Sequence, residues 1–261
     1  MKLPASALHV LLGAAIACAG AGAAARTEGR IDVRIAPQEA LAPKWITGRG
    51  RLAGICPDIL AAVERVEPRL HFTGLDASRS LPAIEAGLAS GTLDAACALV
   101  VSPRRTRTAH PVGKPVYLVR HRLAARTGDP VEVADVADLV RLDALVTSQR
   151  GSAFTDRLKE AGVRVDDATD DNGVNLRKML AGHGRFAYMN ELTLRRYLAA
   201  PDLGKRVRML PAVLAEAPAY FWVGAKADPR IGRLLGEALD RLKANGELDR
   251  IYGRYAADPA S

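Results

Sequence analysis

The chain has 261 residues, 37 Lys and Arg against 29 Asp and Glu, a net charge of +8, and 49% apolar residues. That apolar content can build cores and excludes a disordered chain. The cations are scattered among acids, and the densest cluster, Arg104–Arg105–Thr106–Arg107, lacks interleaved aromatics for base stacking, so nucleic acid is not an expected partner. Cysteines and histidines show no metal-type spacing, and neither metal nor cofactor is expected.

Met1 and Lys2 precede an apolar run from Leu8 to Ala19, and small residues lead to Ala23–Ala24–Ala25 before charge returns at Arg26. That order marks residues 1–25 as a secretory signal peptide and places the mature chain in the periplasm. The apolar run is shorter than the ~20 residues of a membrane span. Cys18 after Ala15–Ile16–Ala17 leaves lipid anchoring as the alternative to release after Ala25. Removing Lys2 lowers the net charge by one, from +8 to +7. Cys56 and Cys97 remain; an oxidising compartment permits their pairing, and spacing alone leaves it open.

Ile31, Val33 and Ile35 alternate with Asp32 and Arg34 as a strand does. A Pro- and Gly-punctuated loop is expected from Pro37 to Gly54, then a helix from Cys56–Pro57–Asp58 to Val66 ended by Pro68. A strand at Phe72, a helix from Ser80 to Gly91 and a buried strand over Leu93–Val101 follow, an alternation that argues a parallel α/β sheet. Residues 116–125 read as extended. A second α/β unit has strands at 143–147, 163–165 and 186–188, helices from Gly151–Ser152 to Ala161, over 174–180 and over 192–198, and ends at Pro201. Residues 219–224 are extended again. A long amphipathic helix with Asp228 as N-cap and a short one around Leu248–Tyr255 complete the chain.

Two extended runs, near 118–126 and 219–224, bracket the middle unit. As crossing segments they divide the mature chain into one lobe of residues 26–120 plus 223–261 and another of 121–222, with a hinged cleft between them. The alternative layout is one continuous sheet.

Several elements, in order, resemble the family 3 extracellular solute-binding proteins, the polar amino-acid receptors of ABC importers. Gly54–Ile55–Cys56–Pro57–Asp58–Ile59 is similar to their Gly-aromatic-x-x-Asp-Leu element, and Leu88-to-Ala95 with Gly91 and Asp94 to their Leu-x-x-Gly-x-x-Asp-Ala element. Ser102–Pro103–Arg104–Arg105 resembles their Thr-Pro-Glu-Arg signature, Pro115–Val116–Tyr117 their Pro-Tyr, and Gly151–Ser152 their Gly-Thr/Ser. The closing Asn245–Gly246 with Tyr252 and Tyr255 is similar to their helix-Gly-helix-Tyr ending.

The resemblance implies an α/β, two-lobed periplasmic-binding-protein-like fold of type II, two hinge strands and an interlobe cleft. It implies a monomer that captures a small polar, carboxylate-bearing metabolite, with ABC permease subunits as partners and no catalysis. Arg105 matches the carboxylate-binding Arg, with Arg104 and Arg107 as rivals because the match needs two gaps. Ser102 belongs to the same signature, and Gly151 and Ser152 at a helix start supply donors. Trp45 stands where an aromatic lines the first loop, and Leu41 near the place of the stacking aromatic. In Gly184–Arg185–Phe186–Ala187, Ala187 replaces the usual Asp, which leaves Glu191 as the nearest acid for an ammonium and makes a standard amino acid doubtful. The other functions considered are a dehydratase-like enzyme on the same scaffold and a sensory or accessory protein. G-x-S-x-G and phosphate-loop patterns are absent.

Overall fold

The computed structural model describes residues 29–48 and 51–257. The leader read over residues 1–25, and Cys18 with it, lies outside them.

β1 (Ile31–Arg34) buries Ile31 and Val33 and turns Asp32 and Arg34 outward, as its alternation requires. Within the expected loop the chain forms a small hairpin, β2 (Ile46–Gly48) with β3 (Arg51–Ala53). α1 (Ile55–Val66) packs six apolar residues inward and returns the chain to β4 (Leu70–Thr73), parallel to β1. α2 (Leu81–Ser90) starts at Ser80, whose hydroxyl accepts the Ala83 N–H, and Pro82 sits in the first turn, where no N–H is needed. β5 (Ala95–Val100) is buried at every position. A Cys56–Cys97 disulfide ties α1 to β5, which settles a pairing the spacing left open.

β6 (Ala109–Arg126) is an 18-residue strand, longer than the extended run expected from residue 116. The prolines at 111 and 115 do not stop it. Pro111 pairs opposite Trp222 beside a register shift, where an N–H missing from the ladder costs little.

Then come α3 (Val136–Arg141), held by an Asp135–Asp138 capping box, and β7 (Val146–Ser148). α4 (Ala153–Glu160), β8 (Val165–Asp166), α5 (Asn172–Leu180), β9 (Phe186–Asn190) and α6 (Glu191–Leu198) make up the middle unit. Pro201, read as a terminator, instead opens α7 (Pro201–Arg206), where proline's missing N–H is harmless. β10 (Val207–Met209), β11 (Ala215–Gly224), α8 (Pro229–Ala244) and α9 (Glu247–Ala257) finish the chain.

Hydrogen bonding runs through the order β5–β11–β6–β9–β7–β8, with β10 also on β6. It is continuous because β6 and β11 pass through both halves. β5 pairs with Ala219–Val223 of β11, which face residues 110–117 of β6, whereas β9 pairs with His121–Ala124 farther along β6. The two halves therefore hang on different stretches of one antiparallel pair, and the register shifts between Ala219 and Phe221. The molecule has two α/β lobes joined by two strands, with a cleft beside them.

Candidate functional site

A cavity of about 70 Å³ lies in the cleft, room for about two waters at liquid density. Arg105 reaches it from a single 3-10 turn (Arg105–Arg107) between β5 and β6. Its guanidinium donates to Glu85 Oε1 at 2.7 Å and to the Val100 carbonyl, and lies 5.3 Å from the centre of the Trp222 ring. Nε is buried without a hydrogen-bond partner among the described residues. Burial lowers the Arg105 pKa and the Glu85 carboxylate opposes that shift; a guanidinium stays charged regardless.

Lys44 comes from the loop before β2. The first turn of α1 has no side-chain cap; instead the N–H groups of Ile55 and Cys56 donate to the carbonyls of Pro43 and Lys44, both at 3.0 Å. Only glycine allows this approach at position 54: its φ is 120°, and a Cβ would stand 2.5 Å from the Pro43 oxygen. The loop so fixed turns Lys44 inward, 6% exposed, where Nζ donates to Gln38 Oε1 at 2.9 Å. Burial, with the Arg105 charge adding to it, pushes the Lys44 pKa well below that of an ordinary amine.

The other lobe supplies Ser152, whose Oγ caps α4 by accepting the Phe154 N–H at 3.3 Å, and Asn172, the first residue of α5. Asn172 Nδ2 donates across the cleft to the Ala40 carbonyl at 3.1 Å, and its buried Oδ1 has no partner among the described residues. Gln149, Asn190 and Thr193 add polar groups, and Phe154, Met189 and Leu192 add apolar wall. His121 lies on β6 between the two sides with its ring centre 3.9 Å from that of Phe154. Burial, then the nearby Arg157, pushes its pKa down to about 3, so the imidazole is neutral at physiological pH.

The lobes touch. Arg104 Nη2 donates to the Gly151 carbonyl at 2.7 Å while its Nε holds Glu85 at 2.7 Å. A Cβ at Gly151, where φ is 76°, would lie 3.1 Å from Pro82 of the facing lobe.

Of the residues singled out in the sequence, Arg105 and Ser152 line the cavity together. Leu41 lines it as well, and the other candidates stand elsewhere. Ser102 is buried, and its Oγ accepts the Arg105 N–H at 3.3 Å, so it fixes the turn that carries Arg105. Gly151 gives its carbonyl to Arg104. Trp45 packs in the core and faces a separate recess with Ile46, Arg196 and Tyr197. Glu191 is turned the other way, onto Arg122 at 3.1 Å and Arg195 at 2.5 Å, beside a different recess. As the first residue of α6 it leaves β9 on the outer side, where two guanidiniums hold it. Of the rival arginines, Arg107 is exposed and Arg104 clasps the rim.

Lys44, Gln38, His121 and Asn172 escaped the sequence reading. Lys44 beside Pro43 in a turn-rich loop has the signature of a solvated cation, and its only inward signal is the apolar company of Leu41 and Trp45.

Residues 33–258 match the model of the bacterial extracellular solute-binding proteins, family 3. A sequence search of curated proteins finds no match. Among solved structures, a histidine kinase sensor domain with similarity to periplasmic binding proteins superposes at TM-score 0.75 with 18% identity, covering 87% of this chain and 97% of its own. The arginine-, lysine-, histidine-binding protein ArtJ of Geobacillus stearothermophilus gives 0.69 and 16%, over 87% and 96%. An ancestral amino acid-binding protein, a precursor of cyclohexadienyl dehydratase, gives 0.70 and 16%, over 86% and 94%. At such identities the likeness speaks for the fold.

Proposed function

The chain belongs to the bacterial extracellular solute-binding proteins of family 3, and on that premise we propose that it is a periplasmic receptor that captures a small carboxylate-bearing metabolite and hands it to an ABC permease. The observation that carries this reading is one cavity walled by both lobes, with Arg105 on one side and Ser152 on the other. A carboxylate between them would meet a fixed guanidinium, the unpartnered Arg105 Nε and a hydroxyl. We assign the lobes as residues 26–120 with 223–261, and 121–222. Binding favours the closed arrangement because its donors come from both lobes.

Binding without turnover fits the lining groups better than catalysis does. A dehydratase needs a general acid. His121, held neutral down to about pH 3, is a poor acid at pH 7. Transport, rather than signalling through a separate sensor, is the role proposed.

The test is a fluorescence titration of the mature protein, with Trp45 and Trp222 as reporters, against small carboxylates. Saturable binding, lost in Arg105→Ala, with the ligand recovered chemically unchanged and its uptake abolished by deletion of the gene, is the expected result. Conversion of the ligand, or uptake that persists in the deletion strain, would reject it.

A further inference from the structure

The lining of the cavity is one-sided in charge. Lys44 and Arg105 both face it, and no Asp or Glu is among the described residues that line it. The acids nearby are engaged elsewhere. Glu85 holds both Arg104 and Arg105, Asp171 spends Oδ1 on the Gly173 and Val174 N–H groups, and Glu191 is held by Arg122 and Arg195. Lys44 donates to a neutral amide, Gln38, and among the described residues no carboxylate pairs with it. A buried amine with only an amide for company is a costly arrangement, and an anion arriving beside it relieves the cost. An ammonium group placed here would meet the fixed charge of Arg105, would disfavour protonation of Lys44 further, and would find only neutral acceptors among the described lining residues.

We infer that the ligand is a small organic carboxylate without an ammonium group. Its carboxylate lies at Arg105 and Ser152, and a second oxygen-bearing group (carboxylate, oxo or hydroxyl) is held by Lys44. This rests on the reading of the cleft as a ligand site and names the substrate class of that site. Gln38 keeps Lys44 directed inward. The apolar wall of Leu41, Phe154 and Met189 fits the carbon skeleton.

Binding of such an anion also moves a proton. The titratable or charged groups lining the cavity with Lys44 are Arg105, His121 and Tyr117. Arg105 keeps its charge, and burial holds His121 neutral and drives the Tyr117 pKa upward. Lys44 is thus the group poised to take up a proton when an anion docks, and affinity falls as pH rises.

Calorimetric titration with matched pairs tests this: succinate and L-malate against L-aspartate, and pyruvate and L-lactate against L-alanine, each in Tris and in HEPES. The expected result is that an ammonium-free member binds at least tenfold tighter than its amino acid. Its affinity falls at least tenfold in Lys44→Met, and the proton uptake seen in the wild type disappears. Lys44→Gln guards against misfolding of the first variant and should lose affinity likewise. Tighter binding of the amino acids, lost in Arg105→Ala, would overturn this inference and leave the cleft as a binding site. Ammonium-free binding that ignores both Lys44 variants would overturn it too. Binding by none of these compounds, or binding indifferent to Arg105→Ala, would overturn both readings.

Discussion

Arg105→Ala has two effects that must be separated. The side chain is 2% exposed and bonds to Glu85 and to the Val100 carbonyl under the Trp222 ring. Breaking a buried ion pair from one side costs about 3–5 kcal/mol. Here Arg104 still holds Glu85, so the lower end, about 3 kcal/mol, is expected. For a chain of this length that lowers Tm by about 6–12 °C. Loss of the guanidinium from the site should weaken anion binding by about 2–5 kcal/mol, or roughly 30-fold to several thousandfold. Arg107→Ala is the control: an exposed cation two residues away should change stability by less than about 0.5 kcal/mol and leave affinity intact. Arg104→Ala removes one bond across the cleft and should fall between the two. The assay is calorimetric titration well below each variant's Tm, with scanning calorimetry for stability. If folded Arg105→Ala binds like the wild type, or Arg107→Ala loses as much, the assignment of the anion site is wrong.

Reducing the Cys56–Cys97 bond, or replacing both residues with Ala, frees a loop of 41-residue separation, worth about 4 kcal/mol of unfolded-state entropy. The melting temperature should drop by about 8–16 °C, and a thermal scan unchanged by reductant would contradict that. His121 makes stability acid-sensitive. Its folded pKa, about 3, lies below the ordinary 6.5, so the unfolded chain binds the extra proton. The stabilisation is whole above pH 6.5 and is lost progressively as pH falls toward 3, up to roughly 4 kcal/mol. His121→Phe, which keeps the stack on Phe154, should flatten denaturation midpoints between pH 6.5 and 5. An unaltered slope there would show that His121 is not the group responsible.

The alternating and periodic segments were legible in the sequence because their burial is set by local pattern: β1, α1, α2, β5 and α8 fall close to the expected spans. Pieces whose form depends on distant partners were not. The hairpin β2–β3 and strand β10 are three-residue strands defined by their neighbours, and β6 extends past two prolines because β11 and its register shift accommodate them. At the site, Arg105 and Ser152 were readable through motifs that also specify a turn and a helix cap. Glu191 is the nearest acid along the chain, but direction, not proximity, decides what a side chain reaches, and Arg122 and Arg195 hold it away from the cavity. Lys44 was invisible because its inward turn depends on Gly54 and the start of α1, ten residues later.

A crystal structure of the mature protein with the tightest-binding carboxylate decides whether the cleft is the ligand site. Ligand density is expected in the cavity beside the hinge strands, with one carboxylate bonded to Arg105 from the first lobe and Ser152 from the second, and Lys44 bonded to the ligand's far oxygen. Density elsewhere on the molecule, or a ligand held by one lobe alone, would contradict it.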